Sequence, residues 1–205
     1  MKQTGIFNGR VQVAYDYGRF GWTRGGGKTW HGGIDLVGVD DATIRMPYYK
    51  GKHITGRVTR ARRVADRGSK TWEWGWYVCV QLDSGQTSDA VNFLYFCHCE
   101  TLLVQAGQRV ASGDALAVMG ATGNAAGGYK HCHLEARATA GGIGLDPTAY
   151  TGCANAVGVY GSGAAAGRLQ VITVGPVSQG DADAVLAVCK ARGLVAAGLY
   201  KSEWS

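Results

Sequence analysis

The sequence lacks the long apolar segments that mark a membrane protein. No apolar run approaches the roughly 18 residues that a membrane-spanning helix needs. Residues 1–10 also contain no apolar core of the kind found in a secretory signal. We therefore expect a protein without membrane insertion and without a secretory signal.

Proline is scarce as well, with 3 residues against 33 glycines. Abundant glycine without a G-X-Y period favours many tight turns between short strands, and apolar residues at 46% supply a sizeable core. The pattern predicts a mainly β fold with antiparallel sheets. The strands expected from alternation and turn signals lie around residues 35–37, 43–46, 56–62, 76–82, 91–98, 115–118 and 131–136.

Acidic residues are outnumbered, with 15 aspartates and glutamates against 21 lysines and arginines, so the net charge is +6. Such a balance suits an anionic partner, for example nucleic acid, a lipid surface or a bacterial wall. The basic residues concentrate in residues 57–63 and at Arg67. Either a solvated face or a binding patch explains that cluster. No nucleic-acid-binding motif accompanies it, so we expect no nucleic-acid partner.

Cysteine is present in an even number, six, but a core of this size needs no disulfide staples. We expect free thiols, because Cys97, Cys99 and Cys132 all fall on inward faces of predicted strands, where cysteine behaves as a small apolar residue. These three cysteines with His98 are an alternative candidate for a structural zinc site. The C-x-C spacing of residues 97–99 is tighter than the usual zinc knuckle.

Histidine is limited to five residues, and two of them, His131 and His133, stand two positions apart. Side chains on a strand alternate between faces. His131, His133 and Glu135 should therefore share one face, while Cys132 and Leu134 face the core. The first face is free to carry chemistry.

A second histidine motif, His31-x-x-x-Asp35, contains two glycines that let the backbone turn tightly before a strand. Imidazole and carboxylate are ordinary zinc ligands, and three protein ligands with a water mark a catalytic zinc. Of the remaining histidines, His53 lies in a turn-like basic stretch and is left out of the site.

His98 lies in a run rich in β-formers, residues 93–100. On a regular strand it would share a face with Phe96 and Glu100, and Tyr95 and Cys97 would point the other way.

The motifs His31-x-x-x-Asp35 and His131-x-His133 resemble the signature of the lysostaphin/LytM-type zinc endopeptidases, which cut peptide bonds in bacterial peptidoglycan. Residues 44–58 resemble the family's I-x-A-P-x-x-G-x-V strand pair. The glycine-punctuated residues 105–123 and Asp146-Pro147 resemble its later motifs. The resemblance covers about residues 25–150, and Cys132 departs from it by standing where the family usually has an apolar residue.

The resemblance implies a zinc metalloendopeptidase with an antiparallel β-sheet catalytic domain and one zinc ion per chain. It assigns the metal to His31, Asp35 and His133. It also assigns the role of general base and then proton donor to His131, and that of orienting water or stabilising the tetrahedral intermediate to His98.

The expected substrate is bacterial peptidoglycan, cut in its cross-bridge or its stem peptide. Without a secretory signal, the chain is expected to be a bacteriolytic phage endolysin, made in the host cytoplasm and reaching the wall after release by a holin. A shortened form of a secreted protein is the alternative origin. The alternative function is a non-catalytic peptidoglycan-binding or wall-remodelling accessory protein on the same fold.

Residues 72–76 carry three tryptophans at alternate positions, which on a strand would share one face. Substrate contact, core packing and dimer contact all remain open for them. The glycine-rich residues 24–28 either line a substrate groove or form a surface turn.

The sequence predicts three parts: a zinc endopeptidase domain at 1–152, a Gly/Ala/Ser-rich linker at 153–167 and a small β-α-β module at 168–205. In the module, strands are expected at 169–174 and 194–200 and a helix at 181–191. The module resembles half of a SPOR-type peptidoglycan-binding repeat. So small a unit has little core, so we expect it to dock on the catalytic domain or to form a homodimer, with wall binding as its function.

Overall fold

The computed structural model describes residues 2–162 and 178–191. The chain divides into two compact units, residues 1–167 and residues 168–205. Neither α-helix within the described residues has the length and apolar character of a membrane-spanning helix. The mainly β, antiparallel fold predicted from the sequence is confirmed.

The strands of the described residues are β1 (Gln3–Thr4), β2 (Phe7–Asn8), β3 (Val11–Val13), β4 (Gly21–Arg24), β5 (Thr29–His31), β6 (Ile34–Gly38), β7 (Thr43–Arg45), β8 (Thr55–Arg63), β9 (Trp76–Leu82), β10 (Phe93–Leu102), β11 (Arg109–Ala111), β12 (Ala115–Met119), β13 (Cys132–Arg137) and β14 (Gly158–Tyr160). The helices are α1 (Thr148–Thr151) and α2 (Gln179–Ala191), with 3-10 helices at Asp16–Gly18, Trp72–Trp74 and Gly123–Ala125. The strands predicted from alternation are all present, with small shifts of their ends.

One antiparallel sheet of ten strands organises the first unit. Its main path runs β11-β8-β9-β10-β13-β6-β3-β14, and β12 joins β10 to β7. Two hairpins, β1-β2 and β4-β5, stand outside it. The order brings β10, β13 and β6 side by side although they are far apart in sequence, and these three strands carry three of the five predicted site residues, Asp35, His98 and His133. His31 ends β5, and His131 directly precedes β13.

The middle of the sheet is buried on both faces, which follows from the nearly continuous runs of apolar side chains in β9 and β10. One face of β9 and β10 joins the main core through Val78, Val80, Leu94 and Phe96. The other face joins a smaller cluster, which we call the aromatic cluster, made of Val64, Tyr77, Cys79, Tyr95 and Cys97. The aromatic cluster lies on the face of the sheet that also carries the predicted site.

The core face predicted for residues 131–136 is confirmed, because Cys132, Leu134 and Ala136 are fully buried in the main core. Burying one side chain of the size of leucine contributes about 2 kcal/mol to the free energy of unfolding. Strand β13 is therefore anchored from its core face, which fixes the side chains on the opposite face.

Two differences from the sequence analysis concern the C-terminal third. Residues 158–160, assigned there to the linker 153–167, form β14 and pair with β3, whose outer edge is otherwise open. The predicted helix at 181–191 is confirmed as α2, which begins two residues earlier. The strands predicted at 169–174 and 194–200 lie outside the described residues, so the β-α-β arrangement and the SPOR resemblance stay predictions.

Candidate metal centre and active site

Three side chains from separate strands converge on one point. His31 ends β5, and Asp35 in β6 is the direct cross-strand partner of His133 in β13, so these two share a face. Nε2 of His31 lies 2.9 Å from Nδ1 of His133, which lies 2.9 Å from Oδ1 of Asp35. Nε2 of His31 is 3.3 Å from the same oxygen. Within the described residues, this is the only set of His, Cys, Asp or Glu groups placed to hold a metal ion.

Hydrogen bonds on the far side of each imidazole decide which nitrogen faces Asp35. Nδ1 of His31 lies 2.8 Å from the carbonyl oxygen of Arg19, which can only accept, so this nitrogen carries the proton. Nε2 of His133 donates to Oε1 of Glu135 at 2.9 Å. The other ring nitrogens, Nε2 of His31 and Nδ1 of His133, face the carboxylate. Outer hydrogen bonds of this kind orient histidines that bind metals.

The electrostatics of this cluster suit a cation. Burial alone would lower the pKa of His133, but its hydrogen bonds to Asp35 and Glu135 outweigh burial and raise the pKa to about 9. Burial opposes ionisation of Asp35, yet the hydrogen bond from His133 and the close contact with His31 hold its pKa well below the usual value. Two ionised carboxylates thus keep an extra proton on His133. A divalent metal that prefers nitrogen and oxygen ligands fits the three donor atoms in place of that proton.

Of the two glycines between His31 and β6, Gly33 is required by space. A Cβ atom on Gly33 would lie 2.5 Å from the carbonyl oxygen of Leu134 and 2.7 Å from Cε1 of His133. No side chain fits there, so glycine lets the backbone pass directly over the His133 ring. The tight turn expected from the sequence is therefore also a close contact.

Arg24, at the end of β4, reaches the other oxygen of Asp35. Its Nη2 lies 3.1 Å from Oδ2 of Asp35 and 2.9 Å from Nε2 of His31, and its Nε donates to the carbonyl oxygen of Tyr17 at 3.2 Å. The side chain is 39% exposed, so the guanidinium also faces solvent in the groove. The predicted glycine-rich loop is the turn of the β4-β5 hairpin, and it does line this groove.

His98 and His131 form a second pair beside the three ligand candidates. Their ring centroids lie 4.9 Å apart, and Nε2 of His131 lies 3.8 Å from Oδ1 of Asp35. Nδ1 of His131 donates to the Tyr129 carbonyl at 3.0 Å, and Nδ1 of His98 donates to the Thr122 carbonyl at 2.9 Å. Each ring is thereby left with Nε2 as a hydrogen-bond acceptor.

Both of these imidazoles are neutral at neutral pH. Burial lowers the pKa of His98 to about 3, with a further contribution from the neighbouring His133 and His131. Burial also lowers the pKa of His131. The ring of Tyr129 stacks on His131 with centroids 4.5 Å apart, which limits its rotation. Two fixed, neutral imidazoles beside the candidate metal centre thus each offer Nε2 as a hydrogen-bond acceptor.

The face predicted for His98 was derived from regular alternation, and that derivation is wrong. Phe96, predicted to share its face, is buried in the main core, while Tyr95 and Cys97, predicted to point away, belong to the aromatic cluster on the site face. Glu100, the other predicted neighbour, is exposed and pairs with Lys130 outside the groove.

The cause is a local break in the pairing of β10. The register with β9 shifts between Phe96 and Cys99, and His98 takes a left-handed φ of 64° there. Upstream of the break, Cys97 pairs with His133 and shares its face. Downstream, Cys99 returns to the main core. The bulge turns His98 onto the face that alternation assigns to its neighbours.

The five predicted site residues line one groove of about 590 Å³. Its walls come from the β4-β5 hairpin on one side and from residues 73–74 and 124–129 on the other. Tyr17, Trp30 and Tyr129 give it an aromatic character, and Glu73 adds an exposed carboxylate.

Glu135 and Arg137 fix the orientation of the His133 ring from its Nε2 side, which faces away from Asp35. Glu135 receives its hydrogen bond and also accepts from Nε of Arg137 at 2.6 Å. The Arg137 guanidinium lies over the rings of Trp74 and Tyr95, 4.9 and 4.8 Å from their centroids. The candidate metal ligand is thus fixed through two side chains to the aromatic cluster.

The tryptophans of residues 72–76 do not share a face, which corrects the expectation. A 3-10 helix, Trp72–Trp74, replaces the expected strand and ends at Gly75 with a φ of 61°. Trp74 packs on Tyr95 and lines the groove of the predicted site. The other two, Trp72 and Trp76, line a separate groove.

The alternative zinc site of the cysteines is not formed. Cys97 lies in the aromatic cluster, whereas Cys99 and Cys132 lie in the main core on the other face of the sheet. All are free thiols. His53, which was left out of the site, is exposed and contacts the ring of Tyr48.

Three residues of the site were missed by the sequence analysis: Arg24, Tyr129 and Arg137. Arg137 continues the alternation of residues 131, 133 and 135, so the strand pattern could have placed it on the site face. Arg24 and Tyr129 arrive through a hairpin and a loop, and their sequence context carries no signal of that placement.

Three solved structures are among those to which this chain is similar. The catalytic domain of the antimicrobial peptidase lysostaphin from Staphylococcus simulans is 18% identical, with a TM-score of 0.47 over 71% of this chain and 94% of that one. A mutant catalytic domain of the prophage-encoded M23 protein EnpA from Enterococcus faecalis is 18% identical, with a TM-score of 0.48 over 63% of this chain and 85% of that one. A zinc-containing peptidase from Vibrio cholerae is 24% identical, with a TM-score of 0.39 over 62% of this chain and 32% of that one.

No curated protein matches the chain. One family model does, that of Peptidase family M23, and it matches residues 30–147. The matched residues are more than half of the chain, and they contain His31, Asp35, His98, His131 and His133. The chain therefore belongs to peptidase family M23.

Proposed function

We propose that the protein is a zinc-dependent endopeptidase that hydrolyses peptide bonds in bacterial peptidoglycan. One observation carries the proposal. Nε2 of His31, Oδ1 of Asp35 and Nδ1 of His133 lie within 3.3 Å of one another, and Nε2 of the neutral His131 lies 3.8 Å from Oδ1 of Asp35. This is the arrangement that metal-assisted hydrolysis needs, a cation position with a base beside it.

His31, Asp35 and His133 would hold the zinc ion and leave its fourth position to water. Bound zinc would lower the pKa of that water to about 7 and polarise the scissile carbonyl. The carbonyl of Arg19 orients the imidazole of His31 toward Asp35, and the carboxylate of Glu135 does the same for His133. The three ligand atoms are therefore already in place for the metal.

His131 is the proposed general base. Its Nε2 is an acceptor at neutral pH, because Nδ1 is bound to the Tyr129 carbonyl and burial lowers the ring's pKa. Nε2 takes a proton from the attacking water and then gives it to the leaving amide nitrogen. A positioned base of this kind contributes about 10²- to 10⁴-fold in rate.

His98 is proposed to orient the attacking water. Its Nδ1–H is engaged by the Thr122 carbonyl and its pKa is lowered to about 3, so Nε2 can accept a hydrogen bond and cannot donate one. An acceptor positions water, whereas a developing oxyanion needs a donor. Of the two roles expected for His98, the geometry supports the first.

The test is the chemistry of the products released from purified peptidoglycan. New amino groups without new reducing sugar ends are expected from the protein, and the product masses then identify the bond, whether in a cross-bridge or in a stem peptide. Reducing ends in place of amines would refute the proposal.

Two substitutions separate the proposed roles. His133→Ala should lose both zinc and activity, whereas His131→Ala should retain one zinc per chain by elemental analysis and lose about 10²-fold or more in kcat. Circular dichroism verifies that both variants fold. Equal loss of zinc in the two variants would show that the roles are assigned wrongly.

A non-catalytic accessory protein that binds peptidoglycan is the second candidate function. Its support is the net charge of +6, which suits an anionic wall polymer, and the convergence of His31, Asp35 and His133 speaks against it. If the protein sediments with peptidoglycan but releases neither amines nor reducing ends with zinc supplied, this candidate replaces the first.

We also propose that the protein is a phage lysin, which reaches the cell wall only after the membrane has been opened. Production in the cytoplasm of a susceptible bacterium should cause no lysis until chloroform permeabilises the membrane, and should then cause rapid lysis. Lysis without permeabilisation would refute this setting, because the protein would then reach the wall without an opened membrane.

For residues 168–205 we propose a wall-binding or dimerising module. The support is its compactness as a separate unit and the helix α2. Sedimentation of the full chain tests the dimer, and retention on peptidoglycan by the full chain against a chain ending at residue 162 tests wall binding.

A further inference from the structure

A second groove, which we call the outer groove, adjoins the groove of the metal centre. It has a volume of about 520 Å³ and is bounded by Trp72, Trp76, Arg67 and the loop 121–126. Asn124 lines both grooves, so the outer groove begins where the first one ends. None of the proposed catalytic steps uses it.

The residues that form the outer groove are in tight contact with the loop that hydrogen-bonds to His98. Gly75 and Gly123 both have left-handed φ angles, 61° and 70°, and a Cβ on either one would lie within 2.5 Å of the other's backbone nitrogen. The Trp76 backbone N–H donates to Oγ1 of Thr122 at 2.9 Å, and the carbonyl of Thr122 accepts from His98. Thr122 therefore connects Trp76 of the outer groove to His98, the proposed water-orienting histidine.

The chemistry of the outer groove differs from that of the first. Guanidinium groups of Arg67 and Arg63 lie over the indoles of Trp72 and Trp76, 5.1 and 5.0 Å from the ring centroids. The lining residues include no carboxylate, whereas the first groove contains three. The Asn124 amide makes no hydrogen bond within the described part of the chain.

We propose that the outer groove is a saccharide subsite, which holds a sugar of the glycan strand whose attached peptide lies in the first groove. Indole rings pack against the apolar C–H face of a sugar ring, and an amide and guanidinium donate to its hydroxyl and acetyl oxygens. Continuity with the first groove selects this occupant, because peptidoglycan peptides are attached to sugars. The inference rests on the proposed function.

Two substrates and four variants test the subsite. The substrates are a cross-linked peptide that bears its disaccharide and the same peptide with the sugars removed. Trp72→Ala and Arg67→Ala should each lower kcat/KM on the sugar-bearing substrate about tenfold, mainly through KM. Both should cleave the sugar-free peptide within about twofold of the parent.

Trp72→Phe keeps a flat ring and should recover much of the loss. Arg62→Ala is the matched control for charge, because Arg62 is exposed on β8 and lines neither groove. It should behave as the parent on both substrates. Equal losses on the two substrates, or no loss on either, would overturn the saccharide subsite.

A binding measurement separates this inference from the proposed function. With His131→Ala, the sugar-bearing fragment should quench tryptophan fluorescence, and adding Trp72→Ala should raise its dissociation constant about tenfold. Sugar-dependent binding by a protein that cuts neither substrate would retain the subsite and refute the peptidase. Binding that does not depend on the sugar would refute the subsite, whatever the activity.

Discussion

Replacing Glu135 by glutamine tests how strongly the hydrogen bond between His133 and the Glu135 carboxylate contributes to metal binding. The carboxylate is only 8% exposed and is shared between Nε2 of His133 and the guanidinium of Arg137. Glutamine keeps the size of the side chain but removes its charge and turns an amide N–H₂ toward one of the two donors. The change therefore acts on His133 without opening a cavity.

The expected effect on zinc affinity follows from the removal of one outer hydrogen-bond partner of a ligand. Such changes cost about 10- to 100-fold in affinity, which is about 1.4 to 2.7 kcal/mol. The free energy of unfolding without metal should fall by about 3 kcal/mol, because the buried charge of Arg137 loses its carboxylate. Contacts of Arg137 with Trp74 and Tyr95 should keep the loss from being larger.

The assay is competition for zinc with a chromophoric chelator, at a temperature well below the melting transition of either protein. Glu100→Gln is the matched control, since Glu100 lies on the neighbouring strand but is 43% exposed and pairs with Lys130. Its substitution should change stability by under about 0.5 kcal/mol and leave zinc affinity unaltered. Parental zinc affinity in Glu135→Gln would refute the claim that Glu135 orients the ligand.

Three further predictions concern the fold that carries the site. Gly75→Ala should lower the free energy of unfolding by more than about 2 kcal/mol in urea titrations, because the new Cβ would lie 2.4 Å from Oγ1 of Thr122. Leu134→Ala should cost about 3 to 5 kcal/mol, since the side chain is fully buried in the main core. In a Cys189→Ser variant, an aromatic disulfide reagent should label no thiol before unfolding and five afterwards, because the remaining cysteines are buried and burial raises their pKa values.

The two stability predictions have matched controls. Gly85 has a left-handed φ of 76° and open space around its Cβ position, so Gly85→Ala should cost only the backbone strain, about 1 kcal/mol. Equal losses of unfolding free energy in Gly75→Ala and Gly85→Ala would mean that the contact between Gly75 and the loop of Thr122 is not tight. Ile143→Ala, at a side chain that is 82% exposed, should leave stability within about 0.5 kcal/mol. Rapid labelling of folded Cys189→Ser would contradict the burial of the thiols.

The sequence was most informative where a strand is regular. Alternation places His133 and Glu135 on one face of β13 and Leu134 in the core, and the structure agrees. The pairing of His133 with Asp35 could not be read from alternation, because it depends on which strands become neighbours. Resemblance to a family assigned both residues to one metal ion, and in the structure Nδ1 of His133 lies 2.9 Å from Oδ1 of Asp35. Their role as metal ligands stays a prediction.

Sequence reasoning failed where the backbone leaves regular geometry. No propensity marks the bulge at His98, because its left-handed φ is set by the pairing on both sides of β10. The tryptophans of residues 72–76 alternate as on a strand, yet the contact of Gly75 with the loop of Thr122 bends them into a 3-10 helix and a turn. Both departures lie beside the groove and help to form it.

The left-handed backbone of His98 has a consequence for any attempt to stabilise this protein. A residue with a Cβ atom pays about 1 to 2 kcal/mol to adopt such a conformation, and glycine does not. His98→Gly should therefore equal or exceed His98→Ala in melting temperature, the reverse of the usual order within a strand. Selection for thermal tolerance alone would replace this histidine, so variants from such a screen should be sequenced at position 98 before their activity is compared.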